Sequence, residues 1–228
     1  MKAIILAAGL GSRFGRLTKN NHKSLIKVGN LSILERLISQ LEKYGVKDIN
    51  IICGHQKKKI DKKFLNYTTF FYPNYKTTNN LHTLYHFKKL LDQDCIISFA
   101  DIILDKNILR GLIRSKKDIT LSVDRRKSRK GTMKIDIKKK KLIYLGNNPK
   151  IDSGNYIGMM KLKKKMMKKF ILAMKKIKDR SKNQYFTEAI NYLINKKSIE
   201  VNYRDVNKKF WIEIDNLEDL KIAKQRIK

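Results

Sequence analysis

Ala3-Ile4-Ile5-Leu6-Ala7 runs without a charge into Ala8-Gly9-Leu10-Gly11-Ser12-Arg13. A short apolar run halted by glycines suits a strand buried on both faces, as in a parallel sheet. Working outward, Leu31–Tyr44 carries Ile33, Leu34, Leu37, Ile38, Leu41 and Tyr44 on one helical face and is closed by Gly45. Ile49–Cys53 reads as a second strand, His55–Asn66 as a lysine-rich helix and Thr68–Tyr72 as a third strand stopped by Pro73. Asn80–Leu91 is a further helix, and Cys95–Phe99 a fourth strand leading to Asp101. Strands alternating with helical patterns predict βαβ units: an α/β fold with a mostly parallel, mixed sheet and helices on both faces. Right-handed crossovers then put the carboxyl ends of the strands on one edge, where ligands bind.

After a helix over Asn107–Ser115 the texture changes. Ile119–Asp124, Thr132–Ile137, Leu142–Leu145 and Asn155–Met160 are short strands, expected as antiparallel additions forming one wall of a cleft. Lys138–Lys141 reads as a hairpin turn. Helices are expected at about 162–178 and 184–195, strands at about 198–203 and 210–215, and a last helix over Leu217–Ile227. With no repeat and no Gly/Ser- or Pro-rich linker, the 228 residues suit one domain, 1–228, whose texture differs between 1–105 and 106–228.

The chain holds 53 Lys and Arg against 20 Asp and Glu, a formal net charge of +33. Charge of that size first suggests nucleic acid, because basic surfaces bind phosphate backbones by counterion release. The excess is mostly lysine, however, and Ile and Asn are heavily used while Ala is scarce, the usage expected of an A+T-rich genome. No basic run shows the aromatic interleaving of a single-strand platform, so nucleic acid is not an expected partner. In Lys161–Lys178 the residues Leu162, Met166, Phe170, Met174 and Ile177 recur every three or four positions, and this stripe is read as core-facing with solvated lysines. Cys53 and Cys95, both in apolar runs, are too few and too far apart for a disulfide scaffold or thiolate zinc site. No stretch approaches the roughly 20 apolar residues of a membrane helix. A cytoplasmic protein without membrane insertion is expected.

Gly9 and Gly11 let the backbone turn and approach a ligand, presenting N–H groups to phosphate or base. Arg13 can fork onto phosphate oxygens, and Lys23 brings a second cation to the same edge. A dinucleotide fingerprint would need glycine where Phe14 stands, and a P-loop would need Gly-Lys-Ser/Thr, which is absent. Asp101 follows the fourth strand, and Asp215 stands in Trp211-Ile-Glu-Ile-Asp215. Taken alone, Asp215 would serve as a helix N-cap and Asp101 as a turn residue.

The run from Lys2 to Val28 resembles the signature of the nucleotidyltransferases that activate sugar 1-phosphates and small phospho-alcohols with a nucleoside triphosphate. The matching residues are Gly9, Gly11, Ser12, Arg13, Leu17, Thr18 and Lys23. Arg16 and His22 stand where that family usually has proline, a departure expected to loosen the loop. The resemblance implies a Rossmann-like, GT-A-like nucleotidyltransferase fold with a nucleotide-binding half (1–105) and an acceptor-binding half (106–228), and with Leu6, Ala7, Ala8, Gly9, Gly11 and Ser12 binding nucleotide. It also implies Arg13 and Lys23 as catalytic residues and Asp101 and Asp215 as Mg²⁺ ligands. An acceptor phosphate oxygen would attack the α-phosphorus and release pyrophosphate, with no general base.

Thr77-Thr-Asn79-Asn80-Leu-His-Thr-Leu-Tyr85 is similar to a segment of phosphocholine cytidylyltransferases near base and acceptor, and Asp152–Gly158 resembles a strand of aminoethylphosphonate-type relatives. These likenesses place Asn79 and Asn80 at the nucleotide and favour CTP. A phosphocholine- or 2-aminoethylphosphonate-class acceptor would then meet Tyr85, Tyr156, Trp211 and Glu213, aromatic faces and a carboxylate suited to ammonium. A hexose 1-phosphate acceptor is the alternative.

Overall fold

The structure, a computed structural model, describes residues 1–126, 128–196 and 199–227; the side chains of Arg16 and Leu17, and Ser198 at the start of an expected strand, lie outside the described residues. The first half contains β1 (Lys2–Ala7), α1 (Arg16–Lys19), β2 (Lys27–Val28), β3 (Leu31–Ser32), α2 (Ile33–Lys43), β4 (Asp48–Cys53), α3 (Lys57–Lys63), β5 (Thr68–Phe71), α4 (Asn80–His86) and β6 (Cys95–Phe99). The second contains β7 (Ile102–Leu104), α5 (Lys106–Ile113), β8 (Ile119–Asp124), β9 (Lys134–Lys138), β10 (Lys141–Gly146), β11 (Asn155–Leu162), α6 (Met167–Lys178), α7 (Phe186–Asn195), β12 (Asn202–Asp205), β13 (Trp211–Glu213) and α8 (Leu217–Arg226).

β1 is buried along its whole length and pairs in parallel with β4 and β6, while β5 extends the sheet in parallel beyond β4. Beyond β6 the sheet turns antiparallel through β11, which also pairs antiparallel with β8. β12 returns parallel to β8, and the β9–β10 hairpin joins at the first residue of β11. Lys139 and Lys140 make the tight hairpin turn, both at positive φ, as a two-residue connection requires. The result is a single α/β domain with a mixed, mostly parallel central sheet.

Alternation along β1 decides the two cores. Ile4 and Leu6 face one side of the sheet with Ile52 and Ile97, covered by α4, α6 and α7. Ala3, Ile5 and Ala7 face the other with Ile51 and Ile96, covered by α2 and α5. The helix α2 starts from a reciprocal capping box between Ser32 and Glu35 and buries Ile33, Leu34, Leu37, Ile38 and Leu41. In α6, Phe170, Met174 and Ile177 are buried while Lys168, Lys169 and Lys175 stay in solvent.

The strand expected at about 198–203 is seen as β12, Asn202–Asp205, and three helices depart furthest from the periodicity. The helix expected from 162 begins at Met167, because β11 runs on through Lys161 and Leu162. Lys161 is tolerated in that buried strand because its Nζ donates to the Ile113 and Ser115 carbonyls at 2.7 and 2.8 Å, at and just past the end of α5. The helix expected over His55–Asn66 shortens to α3, and the one over Asn80–Leu91 breaks after His86 into a 3-10 turn. The strand β7, just after Asp101, was not anticipated.

Candidate active site

At the carboxyl end of β1 the chain enters the loop Ala8–Ser12. Gly11 has φ +64°, and a Cβ there would fall 3.1 Å from Lys23 Cβ, so the loop closes on Lys23 only with glycine. At Gly9 a Cβ would meet nothing within 4 Å, because the backbone borders open space. The loop is tied from three sides. Thr18 Oγ1 donates to the Gly11 carbonyl at 2.8 Å, and His55 Nε2 lies 3.0 Å from the Thr18 carbonyl. His22, buried, donates Nε2–H to the Ala7 carbonyl at 2.8 Å and accepts the Ser24 backbone N–H on Nδ1. Burial holds the His22 imidazole neutral, its pKa pulled down to about 4. At 22, where a proline ring would form no hydrogen bond, the His22 imidazole bonds to both flanking segments of the loop.

The second half of the site depends on the unanticipated strand. β7 pairs antiparallel with β13, aligning Ile102 with Glu213, and Ile214 N–H donates to the Asp101 carbonyl at 2.9 Å. Asp101 and Asp215, far apart in sequence, thereby become neighbours. Lys23 Nζ lies between them, 2.9 Å from Asp101 Oδ2 and 2.8 Å from Asp215 Oδ1, and Arg13 reaches Asp215 Oδ2 at 3.4 Å. Burial disfavours the Lys23 charge, but the two aspartates outweigh it and hold its pKa above the ordinary lysine range. One oxygen each from Asp101, Glu213 and Asp215 falls within 4.8 Å of the others. Burial first, then the Asp101 and Asp215 charges, pushes the Glu213 carboxyl well above the usual range. Asp101 Oδ1 is buried without a hydrogen-bond partner among the described residues. Asp215 is not the helix cap: Asn216 takes that role, accepting the Glu218 and Asp219 N–H groups.

These groups share a cleft of about 900 Å³. Leu6, Ala7, Ala8, Gly9, Gly11, Ser12, Arg13, Lys23, Asn79, Asn80, Asp101, Glu213 and Asp215 all line it. Asn79 caps α4, and Asn80 Oδ1 accepts the Phe186 N–H at 2.9 Å, so that this wall is anchored on α7. Three expected acceptor residues do not line it. Tyr85 lies under Lys88, whose Nζ is 4.7 Å from its ring centre. Tyr156 is buried edge-on to Phe99, because β11 turns it into the core. Trp211 donates Nε1–H to Asp124 at 2.6 Å and carries the Arg129 guanidinium over its ring, engaged by those partners. Glu213 belongs with the two aspartates. The aromatic groups that do line the cleft are Tyr75, Phe99 and Tyr185, joined by Gly131, Thr132, Lys134 and Asn147. No spacing marked these, since they come from separate loops and strand ends.

Residues 2–228 match the family model described as nucleotidyl transferase. The CTP:phosphoglutamine cytidylyltransferase of Campylobacter jejuni is 28% identical over an alignment spanning 97% of this chain and 98% of that protein. The choline-phosphate cytidylyltransferase of Streptococcus pneumoniae is 39% identical across 48% of each chain. A solved structure of the CTP:phosphocholine cytidylyltransferase from S. pneumoniae superposes with a TM-score of 0.85 at 26% identity, over 100% of this chain and 99% of that one.

Proposed function

Because the chain belongs to the nucleotidyl transferase family, we propose that it transfers CMP from CTP to a small phosphorylated acceptor, a phospho-alcohol or phosphonate bearing an amino group, and releases pyrophosphate. The observation that carries this reading is Lys23 Nζ held between Asp101 and Asp215, in the same cleft as the Gly9–Gly11 loop. The CTP-using relatives and the likeness of Thr77–Tyr85 to phosphocholine enzymes support cytidine.

In this reading the amides of Ala8–Ser12 receive the nucleotide. Arg13 and Lys23 neutralise charge as pyrophosphate departs, and Lys23 also orients the attacking phosphate oxygen. That oxygen is already ionised, so positioning and electrostatics carry the reaction. Asp101, Asp215 and the adjacent Glu213 are hard oxygen donors that fit Mg²⁺, and the orphaned Asp101 Oδ1 has the free acceptor such an ion requires. When bound, Mg²⁺ would supply phosphate charge neutralisation. For an ammonium-bearing acceptor, Tyr185, Phe99 and Glu213 are the cleft groups of suitable chemistry. The buried free thiols of Cys53 and Cys95 suit a reducing, cytoplasmic setting.

The test is pyrophosphate release with CTP, UTP, GTP and dTTP, each against phosphocholine, 2-aminoethylphosphonate and glucose 1-phosphate. Turnover is expected with CTP and an aminated acceptor. Turnover restricted to the hexose phosphate would overturn the acceptor assignment.

A further inference from the structure

At the Trp211 end of β13 lies a second cleft, of about 610 Å³. Its walls carry Arg126, Arg129, Lys208 and Arg226 around the rings of Phe210 and Trp211. Asp124, the one acid lining it among the described residues, is already engaged by Arg126 at 2.7 and 2.8 Å and by Trp211 Nε1. Lys208 and Arg226 have no carboxylate within 4.0 Å among the described residues, and Arg226 spreads over the Phe210 ring at 5.8 Å. The chain has 42 lysines and 11 arginines, yet three of the arginines meet here. A composition biased towards lysine does not explain that concentration. Planar guanidinium forks around a recess match phosphate oxygens in geometry as well as charge.

We propose that this cleft is a second, non-catalytic site for a polyphosphate anion, either free pyrophosphate or the phosphate chain of a nucleotide. It is wired to the catalytic cleft by two short routes. Arg129 Nη2 lies 3.4 Å from Asp219 Oδ1, while Asp219 Oδ2 accepts the Asp215 backbone N–H at 3.0 Å. The chain that leaves Arg129 continues directly into Lys130–Lys134, which lines the catalytic cleft. An anion that draws Arg129 away from Asp219 therefore releases the support of Asp215. Occupancy of the one cleft acts on the other through that pair.

Isothermal titration at about 0.15 M ionic strength tests this by stoichiometry, with pyrophosphate, CDP and orthophosphate as separate probes. The variant is Lys208→Asn/Arg226→Ala; Lys208 sits at φ +64°, where asparagine is tolerated, and Arg226 is exposed on the last turn of α8. It is expected to bind one equivalent of pyrophosphate fewer than the unmodified chain. A control with two exposed lysines of α6 removed, Lys168→Ala/Lys175→Ala, is expected to keep every equivalent. Loss of the equivalent with CDP but not with pyrophosphate identifies the nucleotide as the source. Equal stoichiometry in the variant and the unmodified chain for all three probes overturns the proposal, and so does an equal loss in the lysine control. The readout is independent of turnover, so a wrong acceptor assignment leaves it untouched.

Discussion

At His22 the fold demands a neutral imidazole, since Nε2 must donate to Ala7 while Nδ1 accepts from Ser24. Burial lowers its pKa to about 4 from the ordinary 6.5 that the unfolded chain retains. Between those values the unfolded chain binds the extra proton. The stabilisation is therefore complete above pH 6.5 and is lost as the pH falls towards 4, a difference of about 3 kcal/mol. Urea unfolding at pH 7 and pH 4.5 checks this: His22→Gln should lose clearly less stability between the two than the unmodified chain, and an equal loss would refute the assignment. Lys23 is the other residue whose surroundings dictate its part. Lys23→Ala removes a cation from the acid cluster and should lower kcat/KM by about 10²–10³, roughly 3–4 kcal/mol of transition-state stabilisation. Near-normal turnover in that variant would sink the catalytic role of Lys23. Gly9 separates binding from folding. Its missing Cβ faces open cleft, so Gly9→Val should leave the urea midpoint within error while raising KM for the triphosphate at least tenfold, an expectation that rests on simple occlusion.

Elements show which signals survive the passage from sequence to fold. β1 and α2 were legible because one is continuously apolar and the other keeps a strict helical stripe, and their burial follows both patterns. The capping box of α2 is local as well. Ser32→Ala should cost about 1 kcal/mol in urea unfolding and leave kcat unchanged, since Ser32 does not line the catalytic cleft. Other boundaries were hidden for reasons that are equally physical. β11 is buried throughout, so it has no alternation to separate it from the amphipathic turn that follows, and Lys161 fits inside it because the carbonyls at the end of α5 accept its protons. β7 has three residues, too few for a period, yet its pairing with β13 is what joins Asp101 to Asp215. The charged and glycine positions of the cleft could be named from their chemistry, whereas the orientation of Tyr85, Tyr156 and Trp211 could not. An aromatic ring serves core and ligand equally well, and its facing is set by whichever neighbour the tertiary packing supplies: Lys88, Phe99 and Asp124 respectively.

For the molecule as a whole, the net charge of +33 acts in two directions at once. Most lysines stand on helix faces and turns in water, where they repel one another and bring no compensating contact, while Asp101, Glu213 and Asp215 sit together in one cleft. The surrounding field should draw a polyanionic triphosphate towards the protein, and the same field strains the folded state. Salt separates the two consequences because both are long-ranged: the Debye length falls from about 30 Å at 0.01 M to about 8 Å at 0.15 M. Raising KCl across that range should therefore raise Tm, as self-repulsion is screened, and lower kcat/KM for the triphosphate, as attraction is screened. The contacts between Lys23 and the two aspartates are short and partly buried and should hardly respond. The decrease in kcat/KM should accordingly appear in KM and leave kcat nearly constant. Thermal melts and steady-state kinetics at the two ionic strengths measure the pair of effects. A rise in Tm with no change in kcat/KM would mean that the basic surface contributes only repulsion, whereas opposite changes would mean that a lysine excess with no contacts of its own still assists the approach of substrate.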